Sequence, residues 1–368
     1  MKVLEKINDA VNSIVPYQPG RPIEDVAREL GLDPEGIIKL ASNESALGVA
    51  PSALKAIKEF ASEAHRYPDG GAYVLRQKLC QKLKINEDEV IFGAGSNEIL
   101  VFLAMTLMGA GKSVVASEKA FVVYKILARM TGSEFLEVPM QGFTHDLRAM
   151  ADAIREDTSI VFVCNPNNPT GSMVGDDEIA DFMKRVPEDV LVVFDEAYAE
   201  ICLQTMPDTF KYFRQNRAVI ILRTFSKGYG LAGLRIGYGV GPVALIQALE
   251  KPRQPFNTNL IAQLAAAAAL DDDEFIEQSK ENYLKGRSLI EKACEELGLQ
   301  YEKTYTNFIL IKTGNGLEIT QKMTEKKIIV RPMAPYGLEE WIRVSFGTEQ
   351  ENRQFVAVLN EILKEHVS

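Results

Sequence analysis

Metal-binding side chains, long apolar runs and excess basic charge are all scarce in this chain. Of its 368 residues three are histidine, at 65, 145 and 366, and four are cysteine, at 80, 164, 202 and 294. The histidines are too scattered for a zinc site or a histidine base, and the cysteines show neither a Cys-x-x-Cys pair nor metal spacing. No metal is expected. Buried free thiols in a reducing, cytoplasmic compartment are the simplest reading. The longest uncharged apolar run, Ile99 to Gly111, is too short to span a bilayer, which takes about 20 residues. Lys2, Glu5 and Lys6 open the chain without the apolar stretch of a signal peptide. Lysine and arginine total 41 against 51 acidic residues, a net charge of -10. That balance argues against nonspecific nucleic-acid binding, which needs a basic footprint. It does not exclude a small anionic ligand held by a local pair of arginines.

What is present is the composition of a globular protein, 46% hydrophobic and 25% charged, in a chain long enough for two domains with sizeable cores. Residues 1–45 read as an arm with a short helix, Ile23 to Leu30, stopped by Gly31. From about residue 50 to 260, apolar runs alternate with helical patterns, which predicts a parallel sheet with crossover helices. An apolar helix is expected from Ile99 to Met108. Beyond Asp271-Asp-Asp-Glu274, an acidic helix start, a long helix is expected to present Phe275, Ile276, Tyr283, Leu284, Leu289, Ile290 and Leu297 on one face. A further helix covers Gln354 to Leu363. The expected division is 1–45, 46–265 and 266–368.

The chemistry concentrates in Leu222-Arg-Thr-Phe-Ser-Lys-Gly-Tyr-Gly-Leu-Ala-Gly-Leu-Arg235. Lys227 sits in a turn rich in glycine and hydroxyls, after an apolar run and eight residues before an arginine. That layout suits a lysine forming an imine with a phosphorylated aldehyde cofactor, with Thr224, Ser226 and Arg235 donating to the phosphate. On this segment alone a surface lysine in a loop is an equal alternative. Val190-Leu-Val-Val-Phe194 reads as a buried strand ending in Asp195-Glu-Ala-Tyr198. An aspartate there can keep a pyridine nitrogen protonated, and Tyr198 can donate to a phenolic oxygen. The plainer reading makes Asp195 a helix cap and Tyr198 core. Ile160-Val-Phe-Val-Cys164 leads into Asn165-Pro-Asn-Asn-Pro-Thr-Gly171, a rigid turn in which Asn168 offers an amide. Val90-Ile-Phe92 leads into Gly93-Ala-Gly-Ser-Asn-Glu98, whose glycines and free N–H groups admit an anion. Phe121 and Tyr124, after another strand, could stack on a flat ring or be core. Each piece follows a candidate strand, so five strand ends point at one cofactor.

On these motifs, with Lys39-Leu-Ala-Ser-Asn-Glu44, Arg66-Tyr-Pro-Asp-Gly-Gly71, Gly233-Leu-Arg-Ile-Gly237 and Trp341-Ile-Arg-Val-Ser-Phe-Gly347, the chain resembles the fold-type-I pyridoxal-phosphate aminotransferases. Within class II it is similar to the histidinol-phosphate group. The resemblance runs from Val15 to the last helix. It implies an α/β large domain with a mostly parallel sheet flanked by helices, and a smaller α+β domain from the N- and C-terminal parts. It implies pyridoxal 5'-phosphate on Lys227, Asp195 at the ring nitrogen, and Asn168 and Tyr198 at the phenolic oxygen. Gly95, Ser96, Asn97, Thr224, Ser226 and Arg235 would cup the phosphate, with Phe121 and Ala197 on the two ring faces. Tyr67 would reach the phosphate from a neighbouring subunit, which implies a homodimer. Tyr17, Asn168, Arg331 and Arg343 would meet the substrates, an amino donor and a keto acceptor. Aromatic-amino-acid transamination and a threonine-phosphate-type decarboxylase use the same scaffold, and a non-catalytic relative would keep it. The chain departs at Asn43-Glu-Ser-Ala46, where the family commonly reads Asn-Glu-Asn-Pro. The missing proline implies a freer loop there.

Overall fold

The computed structural model describes residues 1–367 except 8, 13, 17–19 and 32. In chain order its strands are β1 (Ile38–Lys39), β2 (Val90–Gly93), β3 (Ser113–Ser117), β4 (Glu134–Val138), β5 (Thr158–Cys164), β6 (Leu191–Asp195), β7 (Val219–Thr224), β8 (Gly237–Val240), β9 (Phe308–Lys312), β10 (Ile328–Ile329), β11 (Arg331–Pro332) and β12 (Trp341–Ser345). Strands β2 to β8 form one sheet in the order β2-β8-β7-β6-β5-β3-β4. Its strand pairs are parallel except those made by β8, which runs antiparallel to both β2 and β7.

The central strands are apolar without alternation because helices cover both faces. Val161, Val163, Val192 and Phe194 enter one core. Their neighbours Ile160, Phe162, Leu191 and Val193 enter the other. The period of two is thus hidden inside runs that are hydrophobic throughout. From β3 the chain moves outward to β4 and then returns to β5 on the other flank of β3. Connections leaving in opposite directions open a crevice beyond the carboxyl ends of β3 and β5, where sheets of this kind bind ligands.

A smaller antiparallel sheet, ordered β11-β12-β9, lies over a third core containing Tyr283, Ile290, Phe308, Ile342 and Phe346. The N-terminal segment joins this side of the molecule. β1 pairs in parallel with β10, and Ser345 N–H donates to Leu40 O at 2.8 Å.

Helix Ile23–Leu30 ends at Gly31 with φ 65°, as the sequence led one to expect. Helix Ser96–Leu107 begins three residues before the expected start. The long helix is Asp273–Leu297. One side chain assigned to its buried face is not there: Leu284 is 38% exposed, whereas Ser279 and Gly286 are buried. Gly286 instead packs against the final helix, Glu349–Val367. A Cβ on Gly286 would lie 2.8 Å from Asn352 Nδ2, so small residues mark the contact and apolarity alone misleads. In the acidic run, Asp272 also serves another helix. Its carboxylate accepts from Ser52 N–H and Ser52 Oγ–H, 2.9 and 2.7 Å away, at the start of helix Pro51–Phe60.

Candidate active site

Beyond the carboxyl ends of the central strands lies a cavity of about 390 Å³ lined by residues from both sheets. Where β2 gives way to helix Ser96–Leu107, Gly95, Ser96 and Asn97 line it. The first N–H groups of a helix have no partners within it and carry partial positive charge. Gly95 has φ 79°, and a Cβ there would sit 2.6 Å from Arg235 Nη2. Glycine is therefore what lets the guanidinium approach the helix start. Arg235 itself is held at φ 57°, a strained value for a side-chain-bearing residue. Its Nη1 lies 3.4 Å from Ser226 Oγ, and Thr224 lines the wall beside them. Helix start, hydroxyls and guanidinium together make a cradle for a phosphate.

Asp195 ends β6 and is 3% exposed. Its Oδ2 accepts a 2.6 Å hydrogen bond from the Tyr124 hydroxyl. Its Oδ1 is buried without a hydrogen-bond partner. Burial pushes its pKa up to about 6, with the Tyr124 bond acting the other way. A buried carboxylate oxygen left unpaired is costly and rare. A protonated ring nitrogen would supply the missing donor. Tyr124 is fully buried and stacks on Phe162, centroids 4.3 Å apart and rings 3° from parallel.

Lys227 Nζ donates to Asn43 O at 3.0 Å and Ser42 O at 3.3 Å. Burial, then the nearby Arg343 charge, lowers its pKa to about 8. Its amine is therefore partly neutral near physiological pH, as a nucleophile requires. Tyr198 accepts at its hydroxyl oxygen from Asn43 Nδ2, 2.9 Å away. Burial raises its pKa, so the hydroxyl keeps a proton to donate. Asn168 Oδ1 accepts from Arg343 Nη1 at 2.6 Å, which leaves the amide N–H groups to act as donors. Arg331 and Arg343 are cross-strand partners in the small sheet, and both are buried. Arg343 Nη2 also donates to Ala41 O at 3.1 Å. Phe121 and Ala197 line the same cavity.

Comparison with known proteins agrees with this geometry. Residues 35–359 match the family described as aminotransferase class I and II. The chain belongs to that family. It is 45% identical over 364 residues to the histidinol-phosphate aminotransferase of Akkermansia muciniphila, covering 99% of this chain and 100% of that one. The counterpart from Moorella thermoacetica is 44% identical, over 97% of this chain and 93% of its own. The crystal structure of histidinol-phosphate aminotransferase from Sinorhizobium meliloti in complex with pyridoxal-5'-phosphate superposes with a TM-score of 0.88 at 29% identity, covering 98% of both chains.

In this aminotransferase the five strand ends singled out in the sequence meet in one cavity. Tyr17 lies outside the described residues. Among the described residues, Tyr67 alone of the expected site residues does not line it. Tyr67 is 83% exposed and stacks on Phe256 at 4.8 Å, away from its own chain's cavity. Tyr124 was read as a possible ring-stacking residue or as core; it is core, and its hydroxyl serves Asp195. The loop expected to be freer is tied down. Asn43 N–H donates to Ser345 Oγ at 2.9 Å, and Asn307 Nδ2 donates to Asn43 O and Glu44 O at 3.2 and 3.3 Å. These bonds fix the backbone at Asn43 and Glu44, three and two residues before Ala46, where the proline is missing. Sequence reasoning overlooked Asn43, Lys39, Ser42 and Tyr336 as cavity residues. Asn43 carried one faint signal: asparagine tolerates the left-handed backbone it adopts here, φ 52°. Its partners are 155 and 302 residues away, so no local pattern announces them.

Proposed function

We propose that the chain is a pyridoxal-phosphate-dependent aminotransferase that interconverts L-histidinol phosphate plus 2-oxoglutarate with imidazole acetol phosphate plus L-glutamate, in histidine biosynthesis. The observation that carries this reading is the convergence of a partly neutral buried lysine, an orphaned aspartate oxygen and a cross-strand arginine pair on one cavity. The residues fit the cofactor group by group: Lys227 for its aldehyde, Asp195 Oδ1 for its ring nitrogen, Asn168 and Tyr198 for its phenolic oxygen, and the Gly95–Asn97 turn with Thr224, Ser226 and Arg235 for its phosphate. When bound, pyridoxal phosphate supplies an aldehyde that takes up the amino group and a ring that accepts the electron pair of the broken C–H bond. The protein supplies the rest. Asp195 keeps the ring nitrogen protonated, since a buried carboxylate favours a positive charge beside it. Lys227 Nζ, on the cavity wall with a pKa near neutrality, takes the α-proton from one carbon and returns it to another. Tyr198 and Asn168 would hold the ring by hydrogen bonds to its phenolic oxygen. Arg331 and Arg343 hold the substrate anion, so one site serves a carboxylate and a phosphate ester in turn.

We further read the working molecule as a homodimer with shared sites, in which Tyr67 reaches the neighbouring copy's phosphate cradle. No helix among the described residues is long and apolar enough to cross a membrane, and we place the enzyme in the cytoplasm with the biosynthetic reaction. The deciding assay follows glutamate formed from 2-oxoglutarate with histidinol phosphate or phenylalanine as donor. Histidinol phosphate should have the larger kcat/KM; a preference for phenylalanine would overturn the substrate assignment in favour of aromatic transamination.

A further inference from the structure

The cavity wall holds a cation that the mechanism leaves unused. Lys39 lines the cavity together with Arg331, Arg343 and Tyr336. It lies on β1, opposite Ile329 of β10, two residues before Arg331. The pairing of β1 with β10 thus brings Lys39 to the small-sheet edge that carries the arginines. Its Nζ lies 2.9 Å from Glu44 Oε1. The lysine side chain is only 20% exposed, whereas that of Glu44 is 46% exposed. Both flank Asn43, whose carbonyl oxygen receives Lys227. After burial and Arg343, the charges that act on Lys227 include those of Glu44 and Lys39.

The two partner anions make different demands. A carboxylate has two oxygens and one negative charge, which one forked guanidinium satisfies. A phosphate ester has three terminal oxygens and nearly two charges at neutral pH, so it calls for more donors and more positive charge. Two arginines and a lysine meet that demand. A half-exposed ion pair contributes little by itself, so Lys39 can leave Glu44 when a stronger anion arrives. Glu44 is the anion already paired with Lys39, and a dianion must displace it.

We propose that Lys39 is the third cation of the substrate-phosphate site and that Glu44 holds it in reserve, so that the pair discriminates a phosphate dianion from a carboxylate. This rests on the proposed function for the identity of the phosphorylated substrate, but not for the existence of the subsite. Glu44 acts as the competing anion. When the pair opens, the ammonium turns to the phosphate.

The test compares the two half-reactions of the cofactor-loaded enzyme in single turnover, using histidinol phosphate and glutamate, for wild type, Lys39→Met, Lys39→Arg and Glu44→Gln. The readout is the ratio of the two kcat/KM values, which a general loss of fold or cofactor does not move. Losing a charged contact to phosphate should lower that ratio by roughly tenfold or more in Lys39→Met. Lys39→Arg should restore most of it, and Glu44→Gln, which frees Lys39 for a carboxylate as well, should lower the ratio by raising the glutamate value while tightening inhibition by inorganic phosphate. A second arm measures inorganic phosphate as a competitive inhibitor of the glutamate half-reaction; Lys39→Met should weaken inhibition by roughly tenfold. An unchanged ratio with unchanged phosphate inhibition overturns the inference. So does a Glu44→Gln variant that weakens phosphate inhibition as Lys39→Met does, because the pair would then merely tether the loop. If wild type fails to use histidinol phosphate but Lys39→Met still weakens phosphate inhibition, the substrate assignment falls and the anion subsite stands.

Discussion

Asp195 shows how one buried group can be unfavourable for the folded chain and useful for its chemistry. In the fold its pKa lies at about 6, against 3.8 for an ordinary aspartate. The folded protein therefore binds more protons than the unfolded chain between those values. Its stability falls as pH rises through that window, by at most about 3 kcal/mol at roughly 1.4 kcal/mol per unit. Asp195→Asn keeps an acceptor for Tyr124 but cannot ionise. The cofactor-free variant should be more stable than the cofactor-free wild type at pH 8 and indistinguishable at pH 4, as read by urea midpoints. With cofactor bound the ranking at pH 8 should reverse, because only a carboxylate pairs with a protonated ring. Lys227 has the opposite shift, down to about 8. Cofactor capture by the cofactor-free protein, followed by absorbance, should quicken roughly tenfold per pH unit up to about 8 and then level off; a flat profile from pH 6 to 9 would remove the desolvated-amine argument. Both residues stood out in the sequence because their neighbours are distinctive. The hydrogen bonds that tune the site, from Tyr124 to Asp195 and from Asn43 to Tyr198, join distant segments and were not legible.

Elements were legible where burial is uniform and less so where a single backbone angle decides. β5 and β6 read directly as apolar β-branched runs, since both faces are covered. The start of helix Ser96–Leu107 did not, because the turn of Gly95 and not the first apolar residue sets it. The early start is functional: it puts Ser96 and Asn97, both of which line the cavity, in the first turn, whose N–H groups have no partners within the helix. Gly95→Ala tests this element. At φ 79° and ψ 163°, a region that is essentially glycine's own, a Cβ costs roughly 1–3 kcal/mol, and that Cβ would stand 2.6 Å from Arg235 Nη2. Arg235 would have to withdraw from the cradle. Cofactor affinity should weaken roughly tenfold or more, measured by titrating the cofactor-free protein, while pyridoxal lacking its phosphate should bind the variant and wild type alike. Equal loss for both ligands would mean that the turn shapes the whole cavity and not its phosphate end.

At the scale of the molecule, the order of motifs along the chain conveyed the parallel sheet and the gathering of its strand ends. A single chain leaves one prominent feature unexplained by its own fold. Tyr67 and Phe256 are 83% and 46% exposed yet stack on each other, and Tyr73 and Val74 nearby are 63% and 52% exposed. This corner is rigid: Asp69 accepts from the N–H groups of Gly71 and Tyr73, and Arg253 Nη1 donates to Gly70 O at 3.1 Å. Ordered aromatic side chains in water suit a surface that a second copy covers, and a two-fold axis would return the same patch to its partner. If Tyr67 then completes the other copy's phosphate cradle, a mixed population tells the arrangement apart from a tyrosine that serves its own chain. Lys227→Ala and Tyr67→Ala proteins should each have low activity alone. Unfolded and refolded together in equal amounts, about half the dimers should be mixed, and each would carry one site with Lys227 from one chain and Tyr67 from the other. One of two sites in half the molecules predicts recovery of roughly a quarter of wild-type activity. A tyrosine that serves its own chain gives no recovery, because every site would then lack either the lysine or the tyrosine, and that result would remove the shared site while leaving the cavity chemistry of each chain as described.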